Sequence, residues 1–244
     1  MKAMILAAGY GSRLGEMGRT RPKCLLEVGG RSMLEHVIAS LQKAGVDSLT
    51  INTHHLAAQV EAFVAERQQF GMQVRLSYEP EILGTGGGLL NAKSSFEHEP
   101  EFFMHNADVY SEFDLQRLLA VHRKHGALAT LAVLKNECSR PLFFNGDSEL
   151  KGWRSADGEK LLSPLDGLTA CGFSGIQVIS PRAFNYMPAG EKEFSIIGVY
   201  MRAAAAGERV MACPMGDSYW IDAGTPERVT ALRERLSGSA TAEK

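Results

Sequence analysis

The sequence predicts an α/β protein with a three-layer α/β/α architecture, a mostly parallel central sheet and a small antiparallel insertion. Two observations predict this class. Strand-like and helix-like segments alternate through the first half of the chain of 244 residues, which is the pattern of parallel strands joined by helical crossovers. The short apolar runs also end in glycine or polar residues, as buried parallel strands do where they meet a loop.

The elements of the first half follow one another closely. Apolar residues at 4–7 predict the first strand, and a capping box that begins at Ser32 predicts a helix that ends at Gly45. Asp114 is a second helix cap, and Gly126 closes that helix. Alternating or continuous apolar residues predict strands at 49–53, 74–78, 102–104 and 128–134, and helical spacing predicts helices at 56–69 and 89–96.

The second half is less regular. Between Pro141 and Gly167 the pattern breaks into short strands and turns, which predicts the antiparallel insertion. Another strand is predicted at 172–179, and helices are predicted near 181, at 196–206 and from 225 onward. We expect one domain over residues 1–236, because no long linker divides it, and a disordered polar tail over residues 237–244.

Composition excludes several classes of protein. Lysine and arginine number 26 against 28 acidic residues, and this balance argues against a polycationic nucleic-acid binder. No apolar run approaches the ~20 residues that cross a bilayer, and we interpret the short apolar N-terminus as a strand and not as a signal peptide. We therefore expect a cytoplasmic protein with neither nucleic acid nor membrane as a partner. The four cysteines lack zinc-site spacing and are expected to be reduced.

The loop after the first strand has the character of a phosphate site. Small residues at 7–9 and Gly11 let a ligand approach the main chain, whose N–H groups can hold phosphates. Arg13 and Lys23 add positive charge for the same phosphates. A tight turn without a ligand is the plainer alternative, because the loop lacks the third glycine of a dinucleotide-binding loop and the Gly-Lys-Ser/Thr of a P-loop.

A second glycine-rich segment lies at 83–89. Thr85 precedes three glycines that lead into the predicted helix, so we expect main-chain N–H groups and small side chains to face a cleft. The alternative is a flexible connection between a strand and a helix.

Two aspartates make a divalent metal site plausible on chemical grounds. Asp108 follows a buried strand, and a carboxylate at the carboxyl end of a parallel strand can hold a metal beside a phosphate loop. A turn cap is the alternative interpretation, since aspartate is common where loops begin. A metal role needs a second carboxylate, and Asp222 supplies it.

Taken together, these segments resemble the sugar-1-phosphate nucleotidyltransferases, from Met4 to about Leu232. The chain looks most like short N-acetylmuramate-1-phosphate uridylyltransferases and the related mannose- and heptose-1-phosphate enzymes. It departs from the family pattern at 15–21 and at Ala107, which replaces a glycine. The motifs are Gly-x-Gly-x-Arg-Leu at 9–14, Pro-Lys-x-Leu at 22–25, Leu-Gly-Thr-Gly-Gly at 83–87, Asn-Ala-Asp at 106–108 and Ile-Asp-Ala-Gly-Thr at 221–225.

The resemblance implies a Rossmann-like, GT-A-like domain with a nucleotide-binding half at about 1–135 and a sugar-phosphate-binding half at about 136–236. It implies catalytic roles for Arg13, Lys23 and Asp108, and Mg²⁺ held by Asp108 and Asp222. The nucleotide-binding residues that it implies are Leu6, Ala7, Ala8, Gly9, Gly11, Ser12, Arg13, Lys23, Glu79, Gly84, Thr85, Gly86 and Asn106. The residues interpreted as binding the sugar phosphate are Ser174, Gly175, Glu193 and Lys151, with ordinary packing and capping as the alternative.

The expected activity is the Mg²⁺-dependent coupling of a nucleoside triphosphate to a sugar 1-phosphate, with release of pyrophosphate. The triple glycine resembles that of the N-acetylmuramate-1-phosphate uridylyltransferases, and this resemblance implies UTP and an N-acetylmuramate-1-phosphate-like acceptor. Mannose- or heptose-1-phosphate guanylyl transfer and choline- or alditol-phosphate cytidylyl transfer are enzyme alternatives. A nucleotide-sugar sensor is the non-enzyme alternative. The protein is expected to be a monomer or a homodimer.

Overall fold

The computed structural model describes residues 1–135, 138–156 and 158–241. Its strands are β1 (Lys2–Leu6), β2 (Glu27–Val28), β3 (Arg31–Ser32), β4 (Ser48–Thr53), β5 (Gln73–Tyr78), β6 (Phe102–Asn106), β7 (Val109–Ser111), β8 (Ala129–Leu134), β9 (Leu142–Phe144), β10 (Leu150–Ser155), β11 (Gly158–Leu161), β12 (Thr169–Ile179), β13 (Val210–Pro214) and β14 (Trp220–Asp222). Its helices are α1 (Glu16–Thr20), α2 (Met33–Lys43), α3 (Ala57–Glu66), α4 (Gly84–Asn91), α5 (Leu115–His125), α6 (Ile196–Ala205) and α7 (Pro226–Thr241).

In this part of the chain, the central sheet has the strand order β5-β4-β1-β6-β12-β8-β13. The pairs β5–β4, β4–β1, β1–β6 and β8–β13 are parallel. Strand β12 runs antiparallel to both of its neighbours, β6 and β8. The sheet is therefore mostly parallel, as predicted, but β12 separates β6 from β8, which the alternating pattern would have placed side by side.

The two faces of the sheet pack against different helices. On β1, the side chains of Ala3 and Ile5 join a buried cluster with residues of α2, α3 and α5, whereas Met4 joins a second cluster with residues of α4 and α6. Successive side chains of a strand point to opposite faces, so one strand contributes to both clusters. This arrangement confirms the three-layer architecture.

Local sequence signals predict several helix boundaries correctly. The Ser32 hydroxyl accepts a hydrogen bond from the N–H of Glu35, whose carboxylate accepts one from the N–H of Ser32, and α2 begins at the next residue. Asp114 caps α5, which ends at Gly126 in the left-handed conformation. The predicted helix at 56–69 is shorter, because α3 ends at Glu66 and a 3-10 turn follows.

The irregular region after residue 140 is antiparallel, as predicted. Strand β9 pairs with β10 and with the first part of β12, and β10 pairs with β11. Strand β12 is long enough to belong to the central sheet at one end and to this extension at the other. Residues 136, 137 and 157 lie outside the described part.

The last helix enters the segment for which a disordered tail is predicted. Helix α7 continues to Thr241, past the predicted boundary at 236. Leu236 packs against the buried cluster around Leu14 and Val229, and the Ser237 hydroxyl donates to the carbonyl of Arg233 at 2.8 Å. These contacts stabilise helical backbone in a polar segment. Residues 242–244 lie outside the described part. None of the described helices has the length and apolarity that a membrane crossing requires.

Candidate active site

A cavity of about 350 Å³ opens where β1, β4 and β6 end. Parallel strands place their carboxyl ends at one edge of a sheet, which is where ligands bind in open α/β proteins. The cavity is lined by Leu6, Ala7, Ala8, Gly9, Gly11, Ser12, Arg13, Lys23, Cys24, Asn52, Glu79, Ile82, Gly84, Thr85, Asn106, Ala107, Asp108 and Gly224. Every residue predicted to bind the nucleotide except Gly86 is among them, so the fold brings the separate motifs together.

The loop after β1 has the shape expected of a phosphate cradle. Gly11 has φ +66°, a left-handed conformation that favours glycine, and a 3-10 turn over Ser12–Leu14 follows. Leu14 is buried, so it anchors the turn while Arg13 next to it faces the cavity. A Cβ atom at Gly224 would lie 2.9 Å from Nη2 of Arg13. Glycine at 224 therefore gives the guanidinium room to lie beside the second aspartate segment.

Lys23 reaches the cavity from a short turn that is anchored on both sides. The 3-10 turn Lys23–Leu25 follows Pro22, and the side chains of Cys24 and Leu25 are buried. The Lys23 ammonium forms an ion pair with the carboxylate of Asp108. Burial raises the pKa of the Cys24 thiol to about 12, so this neighbouring cysteine is a neutral wall residue and not a nucleophile.

A buried polar network joins three strand ends. The side-chain oxygen of Asn52 accepts from the N–H of Ala7 at 2.7 Å, and its amide donates to Oε1 of Glu79 at 2.7 Å. Glu79 is fully buried, and its Oε2 accepts from the N–H of Leu83 at 3.1 Å. Sequence reasoning did not single out Asn52. A polar residue near the carboxyl end of a buried strand was the signal that could have found it.

The glycine-rich segment differs from the prediction. Residues 84–91 form α4, so the three glycines lie inside the helix and not ahead of it. The N–H groups of Gly86 and Gly87 both donate to the carbonyl of Phe194, at 2.9 and 3.3 Å. These N–H groups therefore face the protein and not a cleft. Gly84 and Thr85 line the cavity, and the Thr85 hydroxyl accepts from the N–H of Ile196 at 2.9 Å.

Close packing explains the three glycines. A Cβ atom at Gly86 would lie 2.5 Å from the ring of Phe194, and one at Gly87 would collide with the carbonyl of Lys192. A Cβ atom at Gly88 would lie 2.7 Å from Oε1 of Glu79. The segment 192–194 and the buried network therefore occupy the space that side chains at these positions would need.

The two predicted metal aspartates lie at neighbouring positions of a small antiparallel ladder. In the β7–β14 pair, Asp222 is opposite Val109, and the N–H of Ala223 donates to the carbonyl of Asp108 at 2.7 Å. The Asp222 carboxylate forms an ion pair with Arg228 and accepts from the N–H of Gly224. Asp108 lines the cavity, whereas Asp222 is not among the described residues that line it and lies at the adjoining position of the ladder. Carboxylates are ligands that Mg²⁺ takes in proteins, so the two side chains fit this ion by their chemistry. Neither strand of this ladder was predicted from the sequence.

The residues predicted to bind the sugar phosphate are not gathered in one place. Ser174 is buried, with its hydroxyl donating to the carbonyl of Ala132 at 2.7 Å. Gly175 lies in an irregular part of β12 with φ +81°, where a Cβ atom would lie 2.5 Å from the Asn106 amide. Glu193 lines a second cavity, which adjoins the first. Lys151 forms an ion pair with Glu149 at 3.0 Å on the antiparallel extension. Their sugar-binding roles stay predictions.

A second cavity of about 530 Å³ adjoins the first, and Ile82 lines both. It is lined by Tyr10, His54, Pro80, Glu81, Ile82, Leu83, Lys192 and Glu193.

The fold and the cavity together define an α/β protein in which a glycine-containing loop, Arg13, Lys23 and Asp108 surround one cavity at the carboxyl ends of parallel strands. The family model described as nucleotidyl transferase matches residues 2–142, more than half of the chain. The protein therefore belongs to the nucleotidyl transferase family.

Curated relatives have names from the same branch of chemistry. The chain is 37% identical over 139 residues to a mannose-1-phosphate guanyltransferase of Neurospora crassa, covering 56% of this chain and 38% of the relative. It is 28% identical over 266 residues to a UTP–glucose-1-phosphate uridylyltransferase of Synechocystis, covering 97% of this chain and 64% of the relative. The chain thus spans less than two thirds of the length of these relatives.

Solved structures share the fold at low sequence identity. HddC from Yersinia pseudotuberculosis, complexed with GMP-PN, superposes with a TM-score of 0.74 at 22% identity, covering 96% of this chain and 99% of that one. The inositol-1-phosphate CTP transferase from T. maritima has a TM-score of 0.74 at 16% identity, covering 97% and 96%. The architecture is therefore that of nucleotidyltransferases over almost the whole chain.

Proposed function

We propose that this protein transfers a nucleotidyl group from a nucleoside triphosphate to a sugar 1-phosphate, giving a nucleoside-diphosphate sugar and pyrophosphate. One observation carries the proposal: a single cavity collects the phosphate loop, the cations of Arg13 and Lys23, and Asp108, with Asp222 held at the adjoining position. Membership of the nucleotidyl transferase family and the names of the relatives support it.

The reaction needs positioning and charge neutralisation more than acid–base catalysis. An oxygen of the sugar 1-phosphate attacks the α-phosphorus, a P–O bond forms, and the bond to the bridging oxygen breaks as pyrophosphate leaves. The attacking phosphate is already an anion, so no general base has to remove a proton. Arg13 and Lys23 stabilise the negative charge that grows on the leaving group, which is the role of fixed cations in phosphoryl-type transfer.

Asp108 and Asp222 are the residues that would hold Mg²⁺. When bound, the ion supplies charge neutralisation and orientation of phosphate oxygens. The chain contributes the ladder that holds the two aspartates at adjoining backbone positions, with Asp108 lining the cavity. Among the described residues, no cluster of three or more His, Cys, Asp and Glu side chains could hold a metal. Two carboxylates are sufficient for Mg²⁺, since this ion usually keeps several waters and takes phosphate oxygens as further ligands.

For the substrates we propose UTP and an N-acetylmuramate-1-phosphate-like acceptor, because the sequence motifs resemble those of N-acetylmuramate-1-phosphate uridylyltransferases and a relative is named as a UTP–glucose-1-phosphate uridylyltransferase. The relatives named as mannose-1-phosphate guanyltransferases, and the fold neighbour solved with GMP-PN, favour GTP and mannose 1-phosphate as a second candidate. The cytoplasmic setting and the monomeric or homodimeric state stay predictions.

A substrate matrix tests the proposal. The purified protein is incubated with Mg²⁺, each of five nucleoside triphosphates and a panel of sugar 1-phosphates and alditol phosphates, and pyrophosphate release is measured. Release that depends on both substrates supports the proposal, and the best pair decides between UTP and GTP. Nucleotide binding without turnover for any pair would instead support a nucleotide-sugar sensor.

A further inference from the structure

Tyr10 lies in the middle of the loop after β1, yet it is not among the described residues that line the first cavity. Its neighbours Gly9 and Gly11 line the first cavity, whereas Tyr10 lines the second. Tyr10 is 55% exposed, and its ring borders those of His54 and His55. The residue therefore stands between the two cavities.

Tyr10 is held there by His54, which follows the end of β4. The Tyr10 hydroxyl lies 3.1 Å from Nε2 of His54, and the two rings meet edge to face with centroids 5.1 Å apart. Nδ1 of His54 lies 2.7 Å from the carbonyl oxygen of Glu79. A carbonyl oxygen only accepts, so Nδ1 carries the hydrogen. In the neutral ring Nε2 is then an acceptor, and the Tyr10 hydroxyl donates to it.

These contacts connect the loop after β1 to Glu79, which lines the first cavity. Tyr10 belongs to the phosphate loop, and Glu79 belongs to the wall that continues into Gly84 and Thr85. The beginning of the loop is already tied to the same wall through Ala7 and Asn52. The Tyr10–His54 hydrogen bond is a second connection, and it lies near the middle of the loop.

A contact at Tyr10 restricts the loop because glycine lies on both sides of this residue. Glycine has the largest backbone freedom of any residue, and a Cβ atom at Gly9 would have no neighbour within 4 Å. A loop that samples many conformations loses that freedom when it closes on a ligand, and this loss weakens binding. A side-chain contact that restricts the loop beforehand reduces the loss.

We propose that Tyr10 is a positioning residue, which acts through His54 to preorganise the phosphate loop for the β- and γ-phosphates of the nucleotide. The proposal rests on the proposed function. It predicts an effect on triphosphate affinity that is absent from monophosphate affinity, because a monophosphate lacks the two phosphates concerned. If Tyr10 had only a structural role, its substitution would weaken the binding of the triphosphate and of the monophosphate equally.

Calorimetric titration of Tyr10→Phe with UTP and GTP, and then with UMP and GMP, tests this in the presence of Mg²⁺. The variant keeps the ring and loses the hydroxyl donor, so we expect the Kd of the better triphosphate to rise roughly fivefold, as for one neutral hydrogen bond. The Kd of its monophosphate is expected to change less than twofold. Tyr78→Phe is the matched control, since Tyr78 is 58% exposed and lines neither cavity of the described chain.

The double variant Tyr10→Phe/His54→Ala tests whether the hydroxyl acts through the histidine. We expect it to bind the triphosphate no more weakly than His54→Ala alone, because residues that act as a unit are not additive. Unchanged triphosphate affinity in Tyr10→Phe, an equal loss for the monophosphate, or additive losses in the double variant would overturn the proposal and leave the proposed function standing. Absence of any nucleotide binding by the natural protein would overturn both.

Discussion

The main-chain carbonyl of Asp108 accepts a hydrogen bond from the N–H of Ala223, the residue that follows Asp222, so the two aspartates lie at adjoining backbone positions. Strand β7 begins directly after Asp108, and β14 ends at Asp222. The indole of Trp220 anchors β14 by donating to the carbonyl of Ser174 at 2.9 Å. The ladder thus joins the carboxyl end of a central strand to a segment near the end of the chain, and it brings two aspartates that are far apart in sequence to adjoining backbone positions.

Removal of the Lys23 charge should stop most of the reaction without unfolding the protein. Lys23→Met removes the cation that would stabilise the leaving pyrophosphate, and loss of one such donor typically lowers kcat by roughly 10²–10³-fold. The measurement is the initial rate of pyrophosphate release with the best substrate pair, together with thermal unfolding. Lys93→Met is the control, because Lys93 forms an ion pair with Glu97 outside the cavity-lining residues of the described chain. Near-normal turnover in Lys23→Met would remove this residue from the mechanism.

The two aspartates should behave as one unit. We expect Asp108→Asn and Asp222→Asn each to abolish most activity, and the double variant to be little worse than either, because both would lose the same ion. Direct titration with Mn²⁺ in the presence of the nucleotide should show weakened metal binding in each single variant. Raised Mg²⁺ or Mn²⁺ should partly restore their turnover. Additive losses without metal rescue would show that the carboxylates do not share an ion.

A methyl group at Gly87 should detach the 192–194 segment from α4. In Gly87→Ala the new Cβ meets the Lys192 carbonyl, and overpacking of this kind costs about 1–3 kcal/mol. We expect a lower midpoint in urea and weaker triphosphate binding, since Gly84 and Thr85 at the start of the same helix line the cavity. Gly146→Ala is the matched control, because its Cβ would have no neighbour within 4 Å. Equal stability of the two variants would contradict the packing explanation.

Stability should fall as the pH decreases from about 6.5 toward 4. Burial is the largest cause that lowers the pKa of His122 to about 4, from an ordinary value of 6.5, and burial does the same for His105. Between these two values the unfolded chain binds protons that the folded protein does not, so acid favours unfolding. Urea denaturation at pH 5, 6 and 7 measures how the free energy of unfolding depends on pH.

The variant His122→Gln isolates one of these groups. It should flatten the dependence of the unfolding free energy on pH by at most about 1.4 kcal/mol per pH unit, the value for one proton. His98→Gln, whose side chain is 89% exposed, should leave the slope unchanged. An unchanged slope in His122→Gln would mean that His122 titrates normally in the folded protein.

Local patterns predicted much of the architecture, because the signals concerned act over a few residues. The capping box at Ser32 and the cap and stop at Asp114 and Gly126 are hydrogen bonds and backbone conformations that neighbouring residues decide. Apolar runs report burial, and they located β1, β4, β5 and β6 in order. With parallel strands, order along the chain suffices to bring their carboxyl ends, and hence the phosphate loop, Asn106 and Asp108, to one edge.

The glycine-rich segment shows where such reasoning fails. Glycines before a helix are typical of an anion site, but the same glycines also permit close packing, and the sequence does not distinguish the two. The partner that decided the outcome is Phe194, more than a hundred positions away, whose carbonyl accepts from Gly86 and Gly87. A long-range contact of this kind leaves no local pattern.

The sequence by itself determined which residues are chemically equipped for phosphate and metal, and in which order strands follow one another along the chain. The tertiary structure alone decided the neighbours: β12 lies between β6 and β8, and Asp222 lies beside Asp108. The physical reason is that burial and capping are properties of a segment and its immediate surroundings. Strand pairing is a choice among distant partners, and it is decided by the packing and hydrogen bonding of the whole chain.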